Sequence, residues 1–202
     1  MIEVANYIRN DKKNIVASIA IAKITKLRQL CSGFVNDTIE KRTHIFNQDK
    51  IEALADFLEG IDEPVIITAS YTQEIESIGK FLKEKNYTFG EISGKIKDDA
   101  RNKSIDLFSK GTLDVLIIQE DSGGVGIDGL QNHCSLMIRY SYGYSYDTDQ
   151  QIIGRIQRSG QKKPMRMIRF KTILPNAKQT IEDAIIETIK NKEEGLENLV
   201  KH

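Results

Sequence analysis

The sequence predicts an α/β domain of three layers, a mainly parallel sheet between helices, with further helices at its N- and C-terminal ends. Three observations carry that prediction. Short runs rich in β-branched residues, such as Pro64 to Ala69 (PVIITA), lack the polar alternation of a strand with one wet face, so they read as strands covered on both sides. Segments with apolar residues at three- and four-residue steps fall between them, and alternating strands and helices imply a parallel sheet. A chain of 202 residues is long enough for one well-buried core and short for two.

Each element has its own signal. Lys12 to Cys31 reads as an amphipathic helix, since Val16, Ile19, Ala20, Ile24, Leu27, Leu30 and Cys31 share one face, and Gly33 supplies a stop. A second helix follows through Ile51, Leu54, Ala55 and Leu58, with Asp49 near its start and Gly60 at its end. After the PVIITA strand, Glu74 to Lys85 reads as helix through Ile75, Ile78, Phe81 and Leu82. Tyr87 to Ile92 is then extended, and Ala100 to Phe108 helical. Leu113 to Ile118, Ser135 to Tyr140 and Met165 to Lys171 complete the strands, with a helix over Gln150 to Arg158 between the last two. From Thr180, Ile181, Ala184, Ile185 and Ile189 mark a packing helix. The expected organisation is an N-terminal helical segment over 1–45, the sheet domain over 46–174 and a C-terminal bracing helix over 175–202.

Composition narrows the function classes. No segment approaches the roughly 18 consecutive apolar residues of a membrane span, and the N-terminus has no export signal, so no membrane partner and a cytoplasmic location are expected (host cytoplasm for a phage gene). Cys31 and Cys134 belong to no CxxC or Cys/His cluster, so a zinc site has little support, and His44, His133 and His202 stand isolated. Lysine plus arginine equals aspartate plus glutamate, 29 of each, so total charge indicates no polyanion partner. Its distribution does: from Gln151 to Lys171 the charged residues are Arg155, Arg158, Lys162, Lys163, Arg166, Arg169 and Lys171, with no acid among them.

The candidate chemistry lies in and before that basic stretch. Arg155 and Arg158 are three apart, so on a helix they project from one side, with Gln151 a turn earlier. Two guanidiniums there can converge on one anion, and their planar forks suit the spread charge of a phosphoryl group in transit. Spacing alone leaves open a solvated basic helix. The loop Ser122 to Leu130, with Gly124, Gly126 and Asp128, follows the LDVLII strand, and open parallel sheets place ligands at that end. Asp128 could accept a ribose hydroxyl or orient an arginine; a plain tight turn is the other reading. Tyr140, Tyr142, Tyr144 and Tyr146 alternate before the arginine helix. They could offer bases a stacking face, but a strand end packed on the domain edge is the preferred reading. There is no GxxxxGK[ST], Ser93-Gly94-Lys95 lacking its other elements, and no Asp-Glu pair after a strand to hold magnesium.

These residues, in this order, resemble the second, C-terminal lobe of superfamily-two helicases and translocases, most closely the SWI/SNF-like branch. Gln151, Gly154, Arg155, Arg158, Gly160 and Gln161 resemble motif VI; Gly123 to Leu130 resembles motif V; Pro64 to Leu82 resembles motif IV. Gly94, Arg101 and Phe108 fit the segment between, and Leu27 to Gly33 the entry to the lobe. Asp128 stands where that branch usually has asparagine, Gly129 is inserted before Leu130, and Gln157 replaces a common histidine. The resemblance implies a RecA-like lobe that shares ATP with a first RecA-like lobe, in cis or on a separate chain. That first lobe would hold the phosphate loop and most of the Mg2+ coordination. Arg155 and Arg158 would then be arginine fingers, and Gly124, Gly126, Asp128 and Gln151 nucleotide-binding residues. Ser70, Tyr71, Lys95, Gln119 and Ser122 would grip nucleic acid, DNA or RNA, and the chain alone would not hydrolyse ATP. A noncatalytic nucleic-acid- or protein-binding module on the same fold is the alternative. A dinucleotide-dependent oxidoreductase is set aside, because no GxGxxG opens a helix after the first strand.

Overall fold

The computed structural model describes residues 18–122, 130, 133–143, 145–157, 163–175 and 179–200, with residues 155, 156 and 194–200 described by backbone alone. In chain order the elements are a helix α1 over 18–31, a hairpin of β1 (Phe34–Asp37) and β2 (Arg42–Ile45), then α2 (Asp49–Glu59), β3 (Val65–Ala69) and α3 (Thr72–Glu84). There follow β4 (Phe89–Ile92), α4 (Asp98–Ser109), β5 (Val115–Gln119), a single 3-10 turn over Glu120–Ser122, β6 (Leu136–Arg139), α5 (Tyr146–Ile156), β7 (Arg166–Arg169) and α6 (Ile181–Val200).

The main sheet has the order β4-β5-β3-β6-β7 and all its neighbours pair in parallel. Alternate residues of its strands feed two cores. Val65, Ile67, Val115, Ile117, Leu136 and Ile138 pack with Leu54 and Leu58 of α2 and Ile75, Ile78, Phe81 and Leu82 of α3. Ile66, Leu116, Ile118 and Met137 pack on the other face with Phe108 of α4 and Ile152 of α5. Every residue of β3 and β6 is buried, which is why those segments show no polar alternation. The expected three-layer α/β architecture is therefore the observed one. Residues 12–17 of the expected first helix lie outside the described residues.

Two local differences have physical causes. The β1–β2 hairpin went unread because all four residues of β2 are exposed, so it carries no apolar alternation. Gly33 sets the hairpin's approach: its φ of +78 turns its carbonyl to accept the amides of Phe46 and Asn47, and a Cβ there would overlap the Asn47 carbonyl. Helix α5 starts at Tyr146, a turn before the expected Gln150, because the Ser145 side chain caps it by accepting the Thr148 amide at 3.2 Å.

Helix α6 braces the domain. Ile185 and Ile189 cover Tyr142 beside α5, while the nearly buried Glu182 pairs with Lys50 at 2.5 Å and accepts the Thr172 amide at 2.7 Å. Thr172 in turn donates to the carbonyl of Cys31 at the end of α1, so both flanking helices are pinned to the same corner.

Candidate functional site

The chain leaves β3 toward β4 and β5 on one side and leaves β6 toward β7 on the other, so the sheet reverses its winding between β3 and β6. In open parallel sheets, ligands bind beyond the carboxyl ends of the strands at such a point. The residues there are Ser70 and Tyr71 after β3, Gly94 and Lys95 after β4, Gln119 to Ser122 at the end of β5, and Arg139 to Gly143 at and after β6.

A buried polar network holds these ends together. Glu74, third residue of α3, is 2% exposed. Its Oε2 accepts the backbone amides of Ser70 (3.0 Å) and Tyr71 (2.9 Å) and the Ser141 hydroxyl (2.6 Å), and its Oε1 accepts the Ser32 hydroxyl. A carboxylate at this position also complements the positive end of the helix. The Ser70 amide has a second acceptor in the Ser141 hydroxyl, at 2.8 Å, and its own hydroxyl donates to Glu120 Oε2 at 2.6 Å. Arg139, only 1% exposed, then joins Glu120 to α5: its Nη2 lies 2.7 Å from Glu120 Oε1 and 2.5 Å from Asp149 Oδ1.

The electrostatics follow from burial. Desolvation raises the Glu120 carboxyl above its ordinary value, and Glu74 adds to the rise; Arg139 and the Ser70 hydroxyl oppose it without reversing it. One guanidinium shared between two carboxylates does not fully offset the burial of Glu120. Arg139 Nε and Nη1, Thr68 Oγ1 and the Tyr142 hydroxyl have no hydrogen-bond partner among the described residues. Burial also raises the phenols of Tyr140 and Tyr142, keeping both neutral.

The residues expected at the nucleic-acid surface gather in two groups at this end of the sheet. Gly94 donates its amide to the Gln119 side chain at 3.2 Å and has the Ser122 hydroxyl as its nearest neighbour across the loop, so Lys95, Gln119 and Ser122 share one neighbourhood. Lys95 is exposed and pairs with Glu76 at 2.5 Å. Ser70 sits inside the polar network. The ring of Tyr71 lies edge-on to Phe34, 5.5 Å between centroids, with the Arg28 guanidinium 5.0 Å from its centre, so much of that ring is engaged by α1 and the hairpin.

On α5, Gln151 is exposed while its neighbour Ile152 is buried in the core. The backbone of Arg155 lies on the same helix one turn beyond Gln151. Among the described residues, a Cβ added at Gly154 would meet no atom within 4 Å. Arg158, Gly124, Gly126 and Asp128 lie outside the described residues, as does Tyr144.

Among the described residues the tyrosines form no common stacking face: Tyr140 and Tyr142 are buried, and Tyr146 begins α5 and packs toward α6. The packed-edge reading is the one observed. The basic stretch is partly neutralised, since Arg166 pairs with Glu63 and Lys171 with Asp183. Sequence reasoning missed Glu74, Glu120, Arg139, Ser141 and Asp149. A signal existed for two of them, Glu120 and Arg139, which are charges set at the very ends of apolar strands. Among the described residues, Asp37, Glu40 and His44 could converge on a cation, but they are surface groups already bonded to hairpin amides and to Arg42.

Comparison with known proteins agrees with this architecture. The chain is 26% identical over 183 residues to the DNA repair and recombination protein RDH54 of Saccharomyces cerevisiae, covering 81% of this chain and 20% of the yeast protein. It is 24% identical over 222 residues to the DNA repair and recombination protein RAD54-like of Drosophila willistoni, covering 93% of this chain and 27% of that one. With Protein CHROMATIN REMODELING 25 of Arabidopsis thaliana it shares 23% identity over 151 residues, 74% of this chain and 16% of that protein. The chain thus spans about a sixth to a quarter of the length of these relatives. The crystal structure of the C-terminal part of the Fun30 ATPase domain superposes with a TM-score of 0.59 at 25% identity, covering 69% of this chain and 44% of that one. Residues 49–160, more than half of the chain, match the family described as the helicase conserved C-terminal domain. A parallel RecA-like sheet, the ordered motif segments along it and that match together place the chain in the helicase C-terminal domain family, as a superfamily-two lobe of SWI/SNF-like kind.

Proposed function

We propose that the chain is the second motor lobe of an ATP-dependent DNA translocase, contributing Arg155 and Arg158 to ATP hydrolysis and part of the surface that grips the nucleic acid. The observation that carries this reading is the placement of α5. Its first turns are anchored through Asp149 to the carboxyl end of the sheet, and Gln151 is exposed along it. Gly154, where a Cβ would meet no described atom within 4 Å, immediately precedes Arg155 on that helix. The exposed amide of Gln151 on the same helix fits a nucleotide approaching from outside the chain.

ATP supplies a phosphoryl group for transfer to water. The phosphate loop and most of the Mg2+ coordination belong to a first RecA-like lobe, in cis or on another chain. Arginine stays charged throughout and offers several donors in one plane, so Arg155 and Arg158 would steady charge as it spreads over the transferring group. Gly124, Gly126 and Asp128, in the loop after β5, and Gln151 would hold the nucleotide. Ser70, Tyr71, Lys95, Gln119 and Ser122 would meet the nucleic-acid strand, mostly at phosphates, giving little sequence preference and marked salt dependence.

The test is reconstitution. Combined with a first lobe bearing a phosphate loop, the chain should give DNA-stimulated ATP hydrolysis that neither part gives alone. Arg155→Ala should lower turnover by about 10³-fold or more, the usual worth of such a finger. Unchanged turnover in that variant removes the finger assignment. Tight DNA binding by the chain alone, without hydrolysis in any combination, would instead favour a noncatalytic module.

A further inference from the structure

We propose that Arg139 is a positioning residue that clamps the turn after β5 to the first turns of α5, so that contact with nucleic acid at Gln119 to Ser122 and the arginine-bearing end of α5 shift as one body. This rests on the motor-lobe reading and says how its two faces communicate.

Three separate elements meet at the Arg139 side chain. It emerges from the end of β6, and its Nη2 donates to Glu120, in the 3-10 turn after β5, and forms an ion pair with Asp149, in the first turns of α5. Glu120 also accepts the Ser70 hydroxyl, and the loop into α5 passes so close that a Cβ on Gly143 would come within 2.9 Å of its Oε2. The turn is thus tied to β3, β6 and α5 through one carboxylate. Nothing else described between the turn and α5 has that specificity. Ile152 sits in an apolar core, which resists exposure but is non-directional. The Ser145 cap is local to α5. A charged pair sets position more sharply, because withdrawing either carboxylate strands a buried charge.

The arrangement is a poor choice if stability were its only effect. Two of the three guanidinium nitrogens lack partners among the described residues, and burial keeps the Glu120 carboxyl raised even beside the arginine. Apolar residues of similar volume commonly replace such buried ions with no loss of stability. Retaining the ions makes physical sense where relative position matters more than free energy.

The test compares wild type with Arg139→Lys, Arg139→Met and the triple variant Arg139→Met, Glu120→Gln, Asp149→Asn, which leaves no stranded charge and so should fold even where the single Met variant does not. Amide hydrogen exchange is followed in the full chain. ATP turnover is measured in the motor formed with a phosphate-loop lobe, with and without linear duplex DNA. In the triple variant the amides of 120–122 and 149–154 should exchange about tenfold faster while β3 and β5 keep their protection. DNA stimulation, the ratio of turnover with DNA to turnover without it, should fall about tenfold while KM for ATP is held, a split that general destabilisation would not produce. Arg139→Lys should keep much of the stimulation, since an ammonium has three donors to divide between the carboxylates. Stimulation that survives in the triple variant, or exchange that rises uniformly through the sheet, overturns the clamp alone. A wild-type motor that DNA does not stimulate overturns the motor-lobe reading and the coupling with it.

Discussion

Glu74 is the side chain on which the carboxyl end of the sheet most depends, and replacing it tests the packing logic of the site directly. Its four donors are unequal. Ser32 and Ser141 present hydroxyls that can rotate to other acceptors, and the Ser70 amide keeps a second acceptor in Ser141. The Tyr71 amide opens α3 where no helical carbonyl precedes it, and Glu74 Oε2 meets it at 2.9 Å. A hydrogen bond to a charged group contributes about 1.5–3 kcal/mol, and a stranded buried donor costs about 1–3 kcal/mol. A carboxylate in the first turn adds about 0.3–1 kcal/mol through the helix dipole. Glu74→Ala should therefore lower unfolding free energy by about 4 kcal/mol. Glu74→Gln can keep an oxygen toward Ser70 and Tyr71 and turn its amide to the Ser32 hydroxyl, losing mainly the charge, so about 1–2 kcal/mol is expected. Urea unfolding of both variants, followed by far-ultraviolet circular dichroism, gives the two numbers. Equal costs for alanine and glutamine, or an alanine cost below about 1 kcal/mol, would show that the four hydrogen bonds do not hold the network.

Two further outcomes follow from burial. Because the folded-state carboxyl of Glu120 is raised above its ordinary value of 4.5, its contribution to stability is fully present below that value and is lost as pH rises through the folded one. Wild type should thus lose stability relative to Glu120→Gln as the pH of a urea titration is raised from below 4.5, and the opposite slope would refute the burial argument. Cys134 is 2% exposed and its thiol is pushed up to about 11, chiefly by desolvation. At about pH 8 only about one part in 10³ is thiolate, so iodoacetamide should modify Cys134 only on unfolding. Cys31, half-buried and raised in the same direction, should react first in the native chain; comparable native rates at the two sites would contradict the fold around β6.

The two faces of the lobe differ in how they are built. The surface after β4 and β5 combines half-buried Gln119 and Ser122 with the exposed Lys95, whose pair with Glu76 is worth little in water and is readily exchanged for another anion. Behind it lies a network with almost no exposure, from Glu74 through Ser70 and Glu120 to Arg139 and Asp149. On the proposed motor-lobe reading, flexible contacts on a stiff support would suit a surface that releases and regains a strand without losing its own shape.

The sequence by itself determined the sheet and its helices, because periodicity is local: PVIITA, LDVLII and SLMIRY can only be strands covered on both faces, and Arg155 lies on a helix because Ile152 and its neighbours do. It also determined the family, through the order of Gln151, Gly154, Arg155 and Arg158. Only the tertiary structure decided which charges meet. Glu120, Arg139 and Asp149 are separated by many residues of chain, and their pairing depends on β5 and β6 flanking β3, which no local pattern encodes. The tyrosines make the same point: alternation offered Tyr140 and Tyr142 as a stacking face, and α6 closing over that edge buried Tyr142 instead. Local sequence fixes how each segment folds, whereas electrostatic partners are set by strand order and by which helix covers which edge, and those are properties of the assembled chain.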